Sequence, residues 1–137
     1  MEKAVKLKIV FIGALLFPLL SSAGIDTFEC TVTSVQAISE SGEVISDTDH
    51  LKNQVGSTFS VDRSSGEIRG GYFINNKNSK SIAVTNEPKS NAFYVVSTSH
   101  GPNVLLSYLY VGNNREANQK PFMYTSSGQY IYMGHCI

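Results

Sequence analysis

Two cysteines, Cys30 and Cys136, stand near opposite ends of a chain that contains no others. In an oxidising compartment an isolated pair of this kind is most simply one disulfide. Such a bond would close nearly a whole domain into one loop. The segments that carry the two cysteines would then have to be close neighbours, because bridged Cα atoms sit about 4.4–6.8 Å apart. Chain entropy assigns a cross-link of this span about 4–5 kcal/mol as an upper figure. Free thiols or metal ligands are the alternative reading. Two cysteines so far apart, with no C-x-x-C, make a poor zinc set.

The compartment can be read from the N-terminus. Lys3, Lys6 and Lys8 form a basic start, and Ile9 to Leu20 are apolar, a run too short to span a bilayer as a helix. Pro18 interrupts the run near its end, and Ser21-Ser22-Ala23 supplies the small residues a signal peptidase needs. Residues 1–23 are therefore expected to be a signal peptide cleaved after Ala23, with an uncleaved anchor as the alternative. Gly24 in place of a cysteine argues against a lipoprotein. Residues 24–137 then make a single domain, exported to the periplasm or the medium, large enough for a real core. That part carries eight Lys and Arg against ten Asp and Glu, with no basic run. Nucleic-acid binding by phosphate neutralisation and polybasic contact with a membrane surface are both disfavoured. No membrane span is expected once the leader is removed.

Short runs rich in Val, Ile, Thr, Ser, Tyr and Phe recur between turn signals, the pattern of an all-β domain. Strands are predicted over 28–38, with a possible phase change before Val35, and over 58–63, 67–75, 81–85, 92–99, 104–111, 122–125 and 129–136. Ser41-Gly42, 86–89, 100–103 and 126–128 are turns, and 112–120 is the longest polar loop. The segment 47–55 differs. Asp47 or Thr48 can cap a helix, Leu51 and Val55 lie four apart, and Gly56 falls where a C-terminal cap would. A short helix is expected there. About eight strands with short connections favour an antiparallel meander that hides its edges by closing as a small barrel or a sandwich.

The stretch "GSTFSVDRSSGEIRGG", residues 56–71, concentrates charge between glycines. Phe59 and Val61 alternate with Ser60 and Asp62, so Asp62 and its neighbour Arg63 point to opposite faces. Arg63 shares the core face but sits at the strand end, where its head can reach water. Asp62 enters a hairpin turn and can accept from backbone N–H groups of residues 64–66. Gly66 can take the positive φ of the turn, and Gly70-Gly71 suggests a bulge or a close backbone approach. A capped hairpin is the expected role. The pattern F-x-V-D-R-x-x-G, present as Phe59, Val61, Asp62, Arg63 and Gly66, resembles one found in small exported bacterial proteins of unknown function. "SNAFYVV" and the cysteine near the C-terminus are similar to features of the same group. The resemblance touches a minor part of the mature chain. It implies secretion and a β domain, and no activity.

Chemistry-bearing motifs are scarce. G-x-S-x-G, H-E-x-x-H, P-loop and dinucleotide patterns are absent from the sequence. No cofactor or metal is expected. His50 with Asp47 and Asp49 reads better as an acidic, solvated helix start than as a metal site; His100 lies in a turn and His135 on a surface. A secreted hydrolase built on Asp62, Glu67 and a histidine is the enzymatic alternative, and it requires those groups to converge. Tyrosines are more suggestive. Tyr108 and Tyr110 share one strand face, Tyr130 and Tyr132 another, and Tyr124 lies with Phe122 on a third; Tyr72 and Tyr94 add to them. They suit a small-ligand pocket or a protein contact, or else cross-strand packing. The sequence thus reads as an exported, non-enzymatic β domain that binds a small apolar or sugar-like ligand or a protein partner. An inhibitor-like or adhesin-like structural module is a further alternative.

Overall fold

A computed structural model describes residues 26–46, 48–71, 73–87 (the Glu87 side chain excepted), 92–99, 105–112, 118–127 and 129–137. The leader 1–23, Asp47, Tyr72, the Pro88-Lys89 turn, His100 to Asn103, most of the 112–120 loop and Gly128 lie outside the described residues.

The elements are β1 (Thr27–Ile38), β2 (Val44–Ile45), α1 (Asp49–Lys52), β3 (Thr58–Asp62), β4 (Ile68–Gly70), β5 (Ser81–Glu87), β6 (Ala92–Ser99), β7 (Leu105–Val111), β8 (Lys120–Ser126) and β9 (Tyr130–Cys136). Eight strands form one antiparallel ladder in the order β4-β3-β1-β9-β8-β7-β6-β5, and the two-residue β2 pairs with the end of β1. The chain is all-β, and the sheet curls into a half-barrel. Connection length explains the curl. Laid flat, seven interstrand gaps of about 4.8 Å would hold β4 and β5 about 34 Å apart. Only residues 71–80 join them, and these fold back on themselves rather than run extended.

The first and last strands are hydrogen-bonded neighbours, and Cys30 and Cys136 are direct register partners joined by a disulfide. Glu29 and Ile137 exchange both backbone hydrogen bonds beside them. The cysteines therefore occupy a non-hydrogen-bonded position, where antiparallel strands approach closest, at about 4.5 Å between Cα atoms. Here that separation is 3.9 Å, tighter than usual for a bridge. The phase change in β1 is real: the register with β9 slips between Val32 and Ser34, which turns both Val32 and Val35 inward.

The core is the concave face. Phe28, Phe59, Val61, Ile68, Phe93, Val95, Leu109, Val111, Phe122, Tyr124 and Tyr132 are all buried. Rings meet edge-on across the interior, Phe28 with Phe93 at 5.3 Å and Phe59 with Phe122 at 4.9 Å. The helix is one turn, capped by Thr48, whose hydroxyl accepts from the Leu51 amide at 3.4 Å. Leu51 is buried, but Val55 is 48% exposed, because the helix ends at Lys52 and the two residues do not share a face. Gly56 follows at a φ of +88°.

The predicted strand over 67–75 stops at Gly70. There the chain doubles back so tightly that a Cβ on Gly70 would stand 2.3 Å from the Ile74 carbonyl oxygen. The fold-back delivers Asn76 to the edge of β4. Its backbone amide donates to the Ile68 carbonyl, its side-chain oxygen accepts from the Ile68 amide at 2.7 Å, and its side-chain NH₂ donates to the Gly66 carbonyl at 2.8 Å. One buried asparagine thus replaces a ninth ladder strand, one way a sheet edge can be covered.

Candidate functional site

The hairpin motif is a structural cap. Asp62 accepts from the Ser64 amide, the Ser64 hydroxyl and the Ser65 amide at 2.9, 2.6 and 2.8 Å. The Ser64 hydroxyl first, then Ser65, stabilise the ionised form and hold the Asp62 carboxyl down at about 2. Gly66 has a φ of +72°, and a Cβ there would lie 2.5 Å from Val84 and 2.9 Å from Ile82. Both conformation and space demand glycine, because the hairpin tip packs on β5. Arg63 lies over the Phe28 ring at 4.9 Å and pairs with Asp26 at 3.3 Å. Glu67 pairs with Arg69 at 2.7 Å, and that hydrogen bond lowers the Glu67 pKa.

The two described histidines, His50 and His135, do not join this group. His50 packs edge-on to Phe73 and Tyr130 and is 3.3 Å from the Gln54 amide nitrogen. His135 faces Thr31 and Pro121 across β9. Among the described residues no three His, Cys, Asp or Glu side chains gather as metal ligands do.

The tyrosines separate by face. Tyr108 and Tyr110 lie on the convex face with Tyr94, whose ring is 6.3 and 5.3 Å from theirs. Tyr130 packs at the rim beside His50. Tyr124 and Tyr132 are interior, 0% and 1% exposed, with rings 5.9 Å apart. Burial pushes the Tyr132 hydroxyl up to about 12, against a hydrogen bond from Gln54. Burial raises the Tyr124 pKa as well.

A recess of about 190 Å³ opens at the end of the half-barrel, between the 73–79 segment and the ends of β6, β7 and β8. Its cause is a row of small side chains. Ser97 is the register partner of Ser107, and Ser107 of Ser126, so three inward serines lie side by side across three strands. One layer deeper the same strands place Val95, Leu109 and Tyr124, which fill the interior. The serines leave unfilled the volume that large apolar residues would occupy. Ser97 and Ser107 are hydrogen-bonded to one another through their hydroxyls. Asn75, Asn76, Asn78, Ser79 and Ser99 complete a wall of amides and hydroxyls, with Phe73 and Leu105 as the apolar members.

The Tyr124 hydroxyl ends behind this row. Ser107 and Ser126 stand close enough to offset part of the pKa rise that burial causes. Neither makes a hydrogen bond of ordinary geometry with it, and it is the one fully buried side-chain polar atom without a partner among the described residues. Polar lining, a missing layer of volume and an unsatisfied buried hydroxyl therefore coincide at one place. A second, wider groove along Glu67, Arg69 and Lys77 shares Asn75, Asn78 and Leu105 with the recess. Of the residues at the recess, the sequence singles out Tyr124 alone; Glu67 in the groove enters only through the hydrolase alternative. The available signal was the break in apolar alternation at Ser97 after Phe93 and Val95, and at Ser107 before Leu109 and Val111.

Comparison of the chain with protein-family models, with curated proteins and with solved structures finds no match to any of them.

Proposed function

We propose that the protein is an exported, non-enzymatic β domain that binds a small ligand in the serine-lined recess of its half-barrel. The observation that carries this reading is the row Ser97, Ser107 and Ser126 laid against the unpartnered Tyr124 hydroxyl. A buried polar group left unpaired costs about 1–3 kcal/mol. The hydroxyl is fully buried and does not itself line the recess, so a ligand meets the serine row in front of it. Export is supported by the basic and then apolar run ending at Ala23, by the disulfide, which persists in oxidising compartments, and by the hairpin's resemblance to small exported bacterial proteins. No helix of the described residues is long and apolar enough to cross a membrane. The hydrolase reading finds no support, because Asp62 and Glu67 are engaged in local contacts without a histidine.

Two measurements test the proposal. N-terminal sequencing of the exported protein is expected to begin at Gly24; retention of residues 1–23 removes the export reading. A thermal-shift screen of oxidised protein across lipids, glycans and metabolites is expected to give at least one upward shift. Ser107→Leu, which fills the recess, abolishes it. A flat screen removes the small-ligand reading.

A second reading, contact with a protein, is favoured by the convex face. Tyr94, Val96, Leu106, Tyr108, Tyr110 and Met123 adjoin one another across β6, β7 and β8, and no Asp, Glu, Lys or Arg lies among them. Such a surface suits aromatic anchoring of a partner.

A further inference from the structure

From the lining of the recess we infer that its ligand is a neutral polyhydroxylated molecule, a single sugar ring either free or at the end of a glycan. The inference rests on the small-ligand reading above and names the class of ligand.

Charge decides the first step. Among the described residues, no Asp, Glu, Lys, Arg or His lines the recess. A carboxylate, phosphate or ammonium group entering it would lose water without meeting an opposite charge, which is strongly unfavourable. Polarity decides the second. Ser97, Ser99, Ser107 and Ser126 offer hydroxyls, each able both to donate and to accept, and Asn78 offers an amide, while the Asn75 amide already donates to the Gly71 carbonyl at 3.1 Å. A purely apolar ligand would desolvate this set without replacing its hydrogen bonds to water. A ligand whose own hydroxyls also donate and accept can satisfy it.

Shape decides the third. The recess holds about 190 Å³, room for about six waters at their liquid volume of about 30 Å³ each. That is space for one ring rather than for a chain. Phe73, 40% exposed at the rim, offers an apolar ring for the C–H face of a sugar. Asn76 belongs to the wall and not to the binding set, since both ends of its amide are already engaged with Ile68 and Gly66.

The wider groove continues from the recess past Asn78 toward Lys77 and the Glu67–Arg69 pair. A glycan whose terminal ring occupied the recess would leave along it, whereas a free monosaccharide would leave it empty. The two sources share the ring chemistry and differ only in what lies outside.

Calorimetry and amide NMR on oxidised protein test the class. The probes are glucose, galactose and N-acetylglucosamine, their uronic-acid and amino-sugar counterparts, the corresponding short oligosaccharides, and decanoate. At least one neutral sugar is expected to bind and to move the Ser97, Ser107 and Ser126 amides, with its charged counterparts at least tenfold weaker. Ser126→Ala, on the lining itself, should weaken that sugar at least fivefold while the melting temperature of the unliganded protein holds. Tighter binding of the oligosaccharide than of its monomer points to a glycan end, and equal binding to the free sugar; either supports the inference. Preference for a charged sugar or decanoate at the same amides overturns the ligand class and leaves the small-ligand reading standing. Movement by no probe overturns the inference, and the broader screen then decides that reading by itself. Sugar affinity unchanged in Ser126→Ala overturns the place of the serine row in the site.

Discussion

Tyr132 and Asp62 mark the two ends of the pH range over which single residues govern this fold. Tyr132 is interior and its hydroxyl is raised to about 12, chiefly by burial. The neutral form is the one the folded state favours, so the contribution is complete below the ordinary value of about 10 and is lost as pH rises through about 12. Urea denaturation between pH 9 and 12 is expected to show stability falling on the alkaline side, and Tyr132→Phe is expected to flatten that limb. Tyr124 moves in the same direction, so two of the seven tyrosines should ionise late when followed by ultraviolet absorbance. A limb unchanged by Tyr132→Phe would remove the assignment. Asp62 works in the opposite sense: its carboxyl is depressed to about 2, so its contribution is complete above the ordinary value of 3.8 and is lost as pH falls from there through about 2. Its role was legible because an aspartate before Ser-Ser-Gly caps its own turn within three residues. The serine row was not legible. Breaks in apolar alternation mark Ser97 and Ser107 singly, but Ser97, Ser107 and Ser126 become neighbours only through the β6–β7 and β7–β8 registers.

At the scale of the element, the strand ladder followed from alternation and the edges did not. β6 spans the predicted 92–99, and β1, β3, β5, β7, β8 and β9 came within one or two residues of their predicted bounds, because their inward positions are apolar in period two. β4 is shorter than predicted. Ile68 alone is buried in it, and Gly70 is where the fold-back begins. Asn76 could not be assigned beforehand, since it serves an edge that only the strand order defines. That makes it the sharpest test of how the edge is held. Asn76→Ala removes the acceptor for the Ile68 amide and the donor to the Gly66 carbonyl, both beside the core. Leaving the two groups unpaired should destabilise the protein by about 2–4 kcal/mol. Amide exchange should quicken at Ile68 and across the β3–β4 hairpin more than at β8 and β9. A loss below about 0.5 kcal/mol would mean that water replaces the asparagine without penalty and that the edge is not closed by it.

The whole molecule is two half-sheets joined along two unlike seams. Residues 27–70 supply β1 to β4 and residues 81–136 supply β5 to β9. At one seam β1 and β9 are hydrogen-bonded along their length and bridged by Cys30–Cys136. At the other, β4 and β5 are the ends of the ladder and meet through packing, with the Gly66 tip against Ile82, Val84 and Val95. The covalent bond thus lies at the seam where the chain contributes no short connection, since its partners are 106 residues apart, while the packed seam already has the 71–80 connection across it. Holding β1 to β9 is the contact with the greatest loop-closure cost in the fold, and the disulfide removes most of that cost from the unfolded chain. Cys30→Ala with Cys136→Ala, or reduction, should lower stability by up to about 4–5 kcal/mol. The urea m-value should rise, because an unfolded chain freed of its cross-link exposes more surface. The recess follows from the same arrangement. Its serines lie on β6, β7 and β8 and its opposite wall on the connection across the packed seam, so any ligand bridges the two half-sheets where no covalent bond does. Ligand binding should therefore stabilise the reduced protein as well as the oxidised one. An m-value and midpoint unchanged on reduction would mean that the ends of the chain are held together in the unfolded state by something other than this bond.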